Sequence, residues 1–173
     1  MSHAFSYSKE EFSTAIDKLG AMIRIPTVSK HESEDLSLFY EYHKELERLF
    51  PLLHKNLERT ILNGTLLYRW AGKDAGKKPV LFMGHQDVVP ASDEGWSVPA
   101  YSGVVKDGCL YGRGTLDCKG TMYVQLQAVE ELLAEDFVPP CDVWSTLSTK
   151  RPAVTELLRL CGICGRRVSG WRW

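Results

Sequence analysis

The sequence lacks a long apolar run, any histidine after His85, any acidic pair after Asp136 and a strong excess of either charge. Its apolar runs last a few residues, far short of the ~20 that cross a bilayer, so no membrane partner is expected. A net charge of −1 gives no electrostatic footprint for nucleic acid. The first dozen residues lack the basic start and apolar centre of a secretory signal, and the chain reads as cytoplasmic. Five cysteines (Cys109, Cys118, Cys141, Cys161, Cys164) are an odd number in 173 residues, which argues against a disulfide framework. Residues 72–78, GKDAGKK, have the wrong spacing for a phosphate loop, and no Ser or Thr follows the lysine.

What is present is an ordinary globular composition, 44% hydrophobic and 25% charged, enough for one domain with a core. Ser8 and Glu11 form a capping box ahead of Phe12, Ala15, Ile16, Leu19 and Ile23 at helical spacing. A second helix is expected from about Ser33 to Phe50, burying Leu36, Phe39, His43, Leu46 and Leu49, with Pro51 as its stop. His43 on that stripe reads as a satisfied core histidine. Two strands, 57–62 and 65–70, flank Asn63-Gly64, a type I′ turn dipeptide. The apolar run 79–84 suits a strand covered on both faces. A hairpin turning at Asp107-Gly108, a helix over 120–135 with Met122, Leu126, Val129 and Leu133 on one face, and a strand at 143–147 complete an α/β pattern.

The chemistry gathers between Pro79 and Gly120. The strand at 79–84 delivers His85 and Asp87 to its carboxyl end, where open α/β sheets place their sites. His85 can bind a metal through one ring nitrogen if the other is held, and Asp87 can accept that N–H. Asp117, after the glycines at 112 and 114, is the natural second ligand, and its two oxygens can bridge a metal pair. Imidazole and carboxylate together suit Zn²⁺, with Co²⁺ or Mn²⁺ as alternatives. On pattern alone, a structural role for His-x-Asp stands beside this reading.

Several linked motifs carry a resemblance: Gly84-His85-Gln86-Asp87-Val88-Val89-Pro90, Gly95-Trp96-Ser97-Val98-Pro99, Asp107-Gly108, and Tyr111-Gly112-Arg113-Gly114-Thr115-Leu116-Asp117-Cys118-Lys119-Gly120. In order and spacing they resemble the di-zinc peptidase and amidohydrolase family of aminoacylase, acetylornithine deacetylase and carboxypeptidase S, nearest the carboxypeptidase S-like branch, over about residues 8–148. The resemblance implies the N-terminal part of a zinc-exopeptidase-like catalytic domain, a mixed β-sheet flanked by helices. It implies two zinc ions, His85 as a ligand, Asp117 as the bridging ligand and Asp87 as the catalytic partner behind His85. The implied substrate is a small peptide or N-acyl amino acid, cut at an amide beside a free carboxylate.

The same resemblance places a Glu-Glu pair near residues 151–152, a later acidic ligand, a distal histidine and a lid domain. The sequence has Arg151-Pro152 there. The charge balance also changes, from −6 over residues 1–148 to +5 over 149–173. Codon shifting can turn Lys150-Arg151-Pro152 into Glu-Glu-Ala, so residues from about 145 are read as frame-shifted, and the basic tail 149–173 as poorly packed. Residues 1–148 are then a partial catalytic domain in a truncated, inactive chain. The alternative is a non-catalytic remnant or a binding module. The Cys161/Cys164 pair lacks a second pair and is assigned no role.

Overall fold

The computed structural model describes residues 8–29 and 35–149. Helix α1 (Lys9–Arg24) begins with the expected capping box: Ser8 Oγ accepts from the Glu11 N–H at 3.2 Å, and Glu11 Oε2 accepts from the Ser8 N–H at 2.7 Å. Ile25, ahead of Pro26, is extended and ends it. Only its last turns are buried, at Gly20, Ala21, Met22 and Ile23. Phe12, which helical spacing puts on the apolar face, is exposed, because residues 9–14 run beyond the core.

Helix α2 (Ser37–Leu49) buries Phe39, Tyr42, His43, Leu46 and Leu49. Pro51 does not simply stop it. After a break at Phe50, Pro51 opens the short helix α3 (Pro51–Asn56). Proline suits that first position, since its missing N–H has no intrahelical partner to lose.

Strands β1 (Glu58–Leu62) and β2 (Thr65–Trp70) form the expected hairpin, with φ of 48° at Asn63 and 76° at Gly64. Positive φ at both central positions defines the type I′ turn. Strand β3 (Val80–His85) follows, then the hairpin β4 (Val104–Lys106) and β5 (Cys109–Tyr111), a wide turn Thr115–Lys119, helix α4 (Gly120–Ala134) and strand β6 (Val143–Ser148). The main sheet has the order β1-β2-β6-β3, with β6 antiparallel to β2 and parallel to β3. It is a mixed sheet flanked by helices, as the family resemblance implies. Its core joins Tyr42, Leu46, Phe50 and Leu53 to Leu66, Tyr68 and Leu147 of the sheet and to Met122 and Leu126 of α4. Glu130 of α4 caps α3, its carboxylate accepting from the Leu52 and Leu53 N–H groups at 2.9 and 2.8 Å.

Strand β3 departs from expectation. It lies at the sheet edge, and Val80, Phe82 and Met83 remain substantially exposed. An unbroken apolar run reads the same in a covered strand and in an uncovered one; the neighbours decide, and the described residues provide none on its outer side. Strand β6 keeps its register with β3 through Ser148. Residues 150–173 lie outside the described residues, and with them most of the tail read as frame-shifted and the Cys161/Cys164 pair. Among the described residues, no helix is long and apolar enough to cross a membrane.

Candidate metal centre

His85 is the last residue of β3, and the structure brings it against both aspartates singled out in the sequence. Its Nε2 lies 2.9 Å from Asp117 Oδ1. Its Nδ1 lies 3.0 Å from the Asp87 backbone carbonyl and 3.4 Å from Asp87 Oδ1. One ring nitrogen therefore faces Asp117 while the other is held by Asp87. The Asp117 side chain is 88% exposed, so the site opens to solvent.

The turn that delivers Asp117 is built by local chemistry. Gly114 has φ of 90°, a left-handed conformation, and a Cβ there would meet Val88 Cγ1 at 2.7 Å. Glycine meets both constraints. The Thr115 hydroxyl donates to the Gly112 carbonyl at 2.8 Å, and the Lys119 N–H to the Gly114 carbonyl at 2.9 Å. The Asp117–Cys118 peptide bond is cis.

Three residues missed by the sequence reading support this arrangement. Between His85 and Asp87, the Gln86 side chain turns into the core. Its amide donates to the Gly64 and Leu147 carbonyls, and its Oε1 lies 3.1 Å from His43 Nε2. Buried His43 is thus held in a core hydrogen bond. Lys119 is fully buried and donates to the Met22 and Ile25 carbonyls at 2.9 and 2.7 Å. That bond pair ties the Asp117 turn to the end of α1, while burial pushes the ammonium down to about 7. Cys118 is the third, with its sulfur against the His85 backbone. The signal available for all three was adjacency to a ligand candidate.

The electrostatics favour a cation. Hydrogen bonding to the Asp87 carboxylate, then the contacts with Cys118 and Asp117, push the His85 imidazole up to about 11 against partial desolvation. A site that holds a proton so firmly also attracts a metal ion, which competes with that proton for the same nitrogen. The donors present, imidazole and an open carboxylate, fit Zn²⁺, Co²⁺ or Mn²⁺. His85 and Asp117 would hold the ion.

An imidazole and an open carboxylate brought together at the end of a strand in a helix-flanked mixed sheet are a donor set that could hold a metal ion. Residues 81–149 match the family described as Peptidase family M20/M25/M40. The chain is 37% identical over 139 residues to carboxypeptidase S of Saccharomyces cerevisiae, covering 73% of this chain and 24% of that protein. It is also 37% identical over 137 residues to the human N-fatty-acyl-amino acid synthase/hydrolase PM20D1, covering 77% of this chain and 27% of that protein. The solved structure of human carnosine dipeptidase 1 superposes with a TM-score of 0.64 at 23% identity, covering 86% of this chain and 35% of that one. The chain belongs to the M20 family of metal-dependent peptidases and spans about a quarter of the length of these two curated relatives.

Proposed function

We propose that residues 8–149 are the first part of the catalytic domain of a zinc-dependent amide hydrolase acting on small peptides or N-acyl amino acids. The observation that carries the reading is the placement of His85 Nε2 2.9 Å from Asp117 Oδ1 with Nδ1 held by Asp87. In this reading His85 and Asp117 would hold the metal. Asp87 fixes the imidazole tautomer and raises its basicity. Bound metal supplies Lewis acidity and a water of lowered pKa. The substrate class follows the names of the relatives, carboxypeptidase S and an N-fatty-acyl-amino acid synthase/hydrolase.

The 173-residue polypeptide is read as inactive. Among its described residues, the clustered candidate donors are His85, Asp117 and Cys118. The sequence after Asp136 offers Asp142 and Glu156 but no acidic pair to take a proton from an attacking water. The stretch 150–173, most of the basic tail, is read as aberrant in sequence.

The test is cobalt or zinc titration of the purified chain beside Asp117→Ala, with hydrolysis of an N-acyl amino acid followed in parallel. Binding that depends on Asp117, without turnover, is expected. Failure of the wild-type chain to bind at this site overturns the metal reading. Turnover abolished by the substitution overturns the inactive one.

A further inference from the structure

We propose that Cys118 is a positioning residue whose thiol clamps the His85 backbone, closing the outer edge of β3 beside Asp117 and locking the two candidate ligands together. The inference rests on the metal reading above for its functional meaning, but the clamp has a readout of its own.

In a parallel ladder, the backbone groups of alternate residues point to opposite sides of the strand. Val80 and Gln86 send their N–H groups toward β6, to Asp142 O at 3.0 Å and Ser148 O at 2.8 Å. His85 therefore points outward, to the side where no strand of the described residues pairs. Both of its backbone groups are nonetheless satisfied by one atom. The His85 N–H donates to Cys118 Sγ at 3.2 Å, and the Cys118 S–H donates to the His85 carbonyl at 3.2 Å. The thiol replaces a neighbouring strand for a single residue.

Because Cys118 directly follows Asp117, this bond pair fixes the separation between the strand end and the acidic turn. A second contact between them is His85 Nε2 to Asp117 Oδ1, whose carboxylate is solvent-exposed, so the thiol holds the turn from its inner side.

Cys118 as a third metal ligand is the competing role. Candidate donor atoms of His85, Asp117 and Cys118 lie within 4.8 Å of one another. A ligating thiolate, however, gives up its S–H and with it the bond to the His85 carbonyl. The observed geometry uses the sulfur both as donor and as acceptor toward the backbone, which favours the clamp.

The experiment reads His85 amide hydrogen exchange by NMR in the metal-free 173-residue chain, beside Cys118→Ser and Cys118→Ala. Serine keeps a donor and an acceptor; alanine keeps neither. The expected result is exchange at least about tenfold faster in Cys118→Ala and within about threefold of wild type in Cys118→Ser. Cobalt titration should show affinity about tenfold weaker for Cys118→Ala and near wild type for Cys118→Ser. No sulfur-to-cobalt charge-transfer band is expected in the wild-type spectrum. Unchanged His85 exchange in Cys118→Ala overturns the clamp. A charge-transfer band abolished in Cys118→Ser makes Cys118 a ligand and overturns it as well. Should Cys118→Ala fail to fold, Cys118→Val, close to cysteine in size but offering the His85 N–H no acceptor, takes its place, and unchanged exchange there is equally decisive. Absence of Asp117-dependent cobalt binding strikes the metal reading instead, and the exchange measurement then judges the clamp alone.

Discussion

The Lys119 ammonium stands 4.6 Å from the centroid of the Tyr42 ring, buried, with no ion pair to a carboxylate among the described residues. Its partners are the ring face and the carbonyls of Met22 and Ile25 at the end of α1. A donor suits that place, since the end of a helix carries unpaired carbonyls, while burial works against the charge on the amine.

Lys119→Met should leave those carbonyls unbonded and destabilise the chain by about 1–3 kcal/mol in urea denaturation. The size should depend on pH. The folded-state value is pushed down to about 7 from 10.5, so the unfolded chain binds more protons between those values and wild-type stability rises with pH across that window. Methionine removes this dependence. The stability gap between wild type and Lys119→Met should widen from about pH 6 to about pH 9; a constant gap contradicts the depressed value.

Gln86→Leu keeps much of the volume but strips hydrogen bonds from the Gly64 and Leu147 carbonyls and from His43. The expected loss is about 2–4 kcal/mol, the cost of leaving several buried polar groups unpaired. Thermal melting with urea denaturation measures it, and a loss of a few tenths counts against the buried-hub reading.

Gly114→Ala should act on the site more than on the fold. The positive φ of 90° and a Cβ 2.7 Å from Val88 Cγ1 force the turn to shift, at about 1–3 kcal/mol. Cobalt affinity should fall with it, because Asp117 sits at the centre of that turn. Wild-type affinity in a folded Gly114→Ala protein separates the turn from the site.

Metal binding should release a proton. With His85 pushed up to about 11, the metal-free ring is protonated at neutral pH and must deprotonate to ligate. Apparent zinc affinity should therefore climb about tenfold per unit from about pH 6 to about pH 8, with roughly one proton released per ion at His85. Calorimetry in buffers of differing ionisation enthalpy counts the protons. Affinity independent of pH indicates that His85 is not a ligand.

The parts of this molecule legible in sequence are those decided by a few adjacent residues. The Ser8/Glu11 box, the Asn63-Gly64 turn and the Asp107-Gly108 turn formed as their chemistry requires. The period of α2 identified its buried face, missing Tyr42. His85, Asp87 and Asp117 could be singled out because strand ends and glycine turns are where α/β sheets present reactive groups. The rest depended on distant partners. Pro51 could equally stop one helix or start another, and Glu130, far along the chain, caps the new one. The exposure of β3 reflects what lies beside it, and its own six residues hold no information on that. Gln86, Cys118 and Lys119 are ordinary residues by composition, and their roles come from backbone groups as far away as Met22 and Gly64.

Along β3, the outward-facing positions at Leu81 and Met83 differ in kind from the one at His85. Among the described residues the first two have no strand beside them, and another length of chain could zip there. The third is already occupied by sulfur. A strand that docked on this edge would be halted one rung short of the imidazole, so the sheet can widen without sealing the water-facing mouth in which Asp117 stands. If the thiol clamps as proposed, growth of the sheet and access to the candidate metal centre are kept apart by a single side chain.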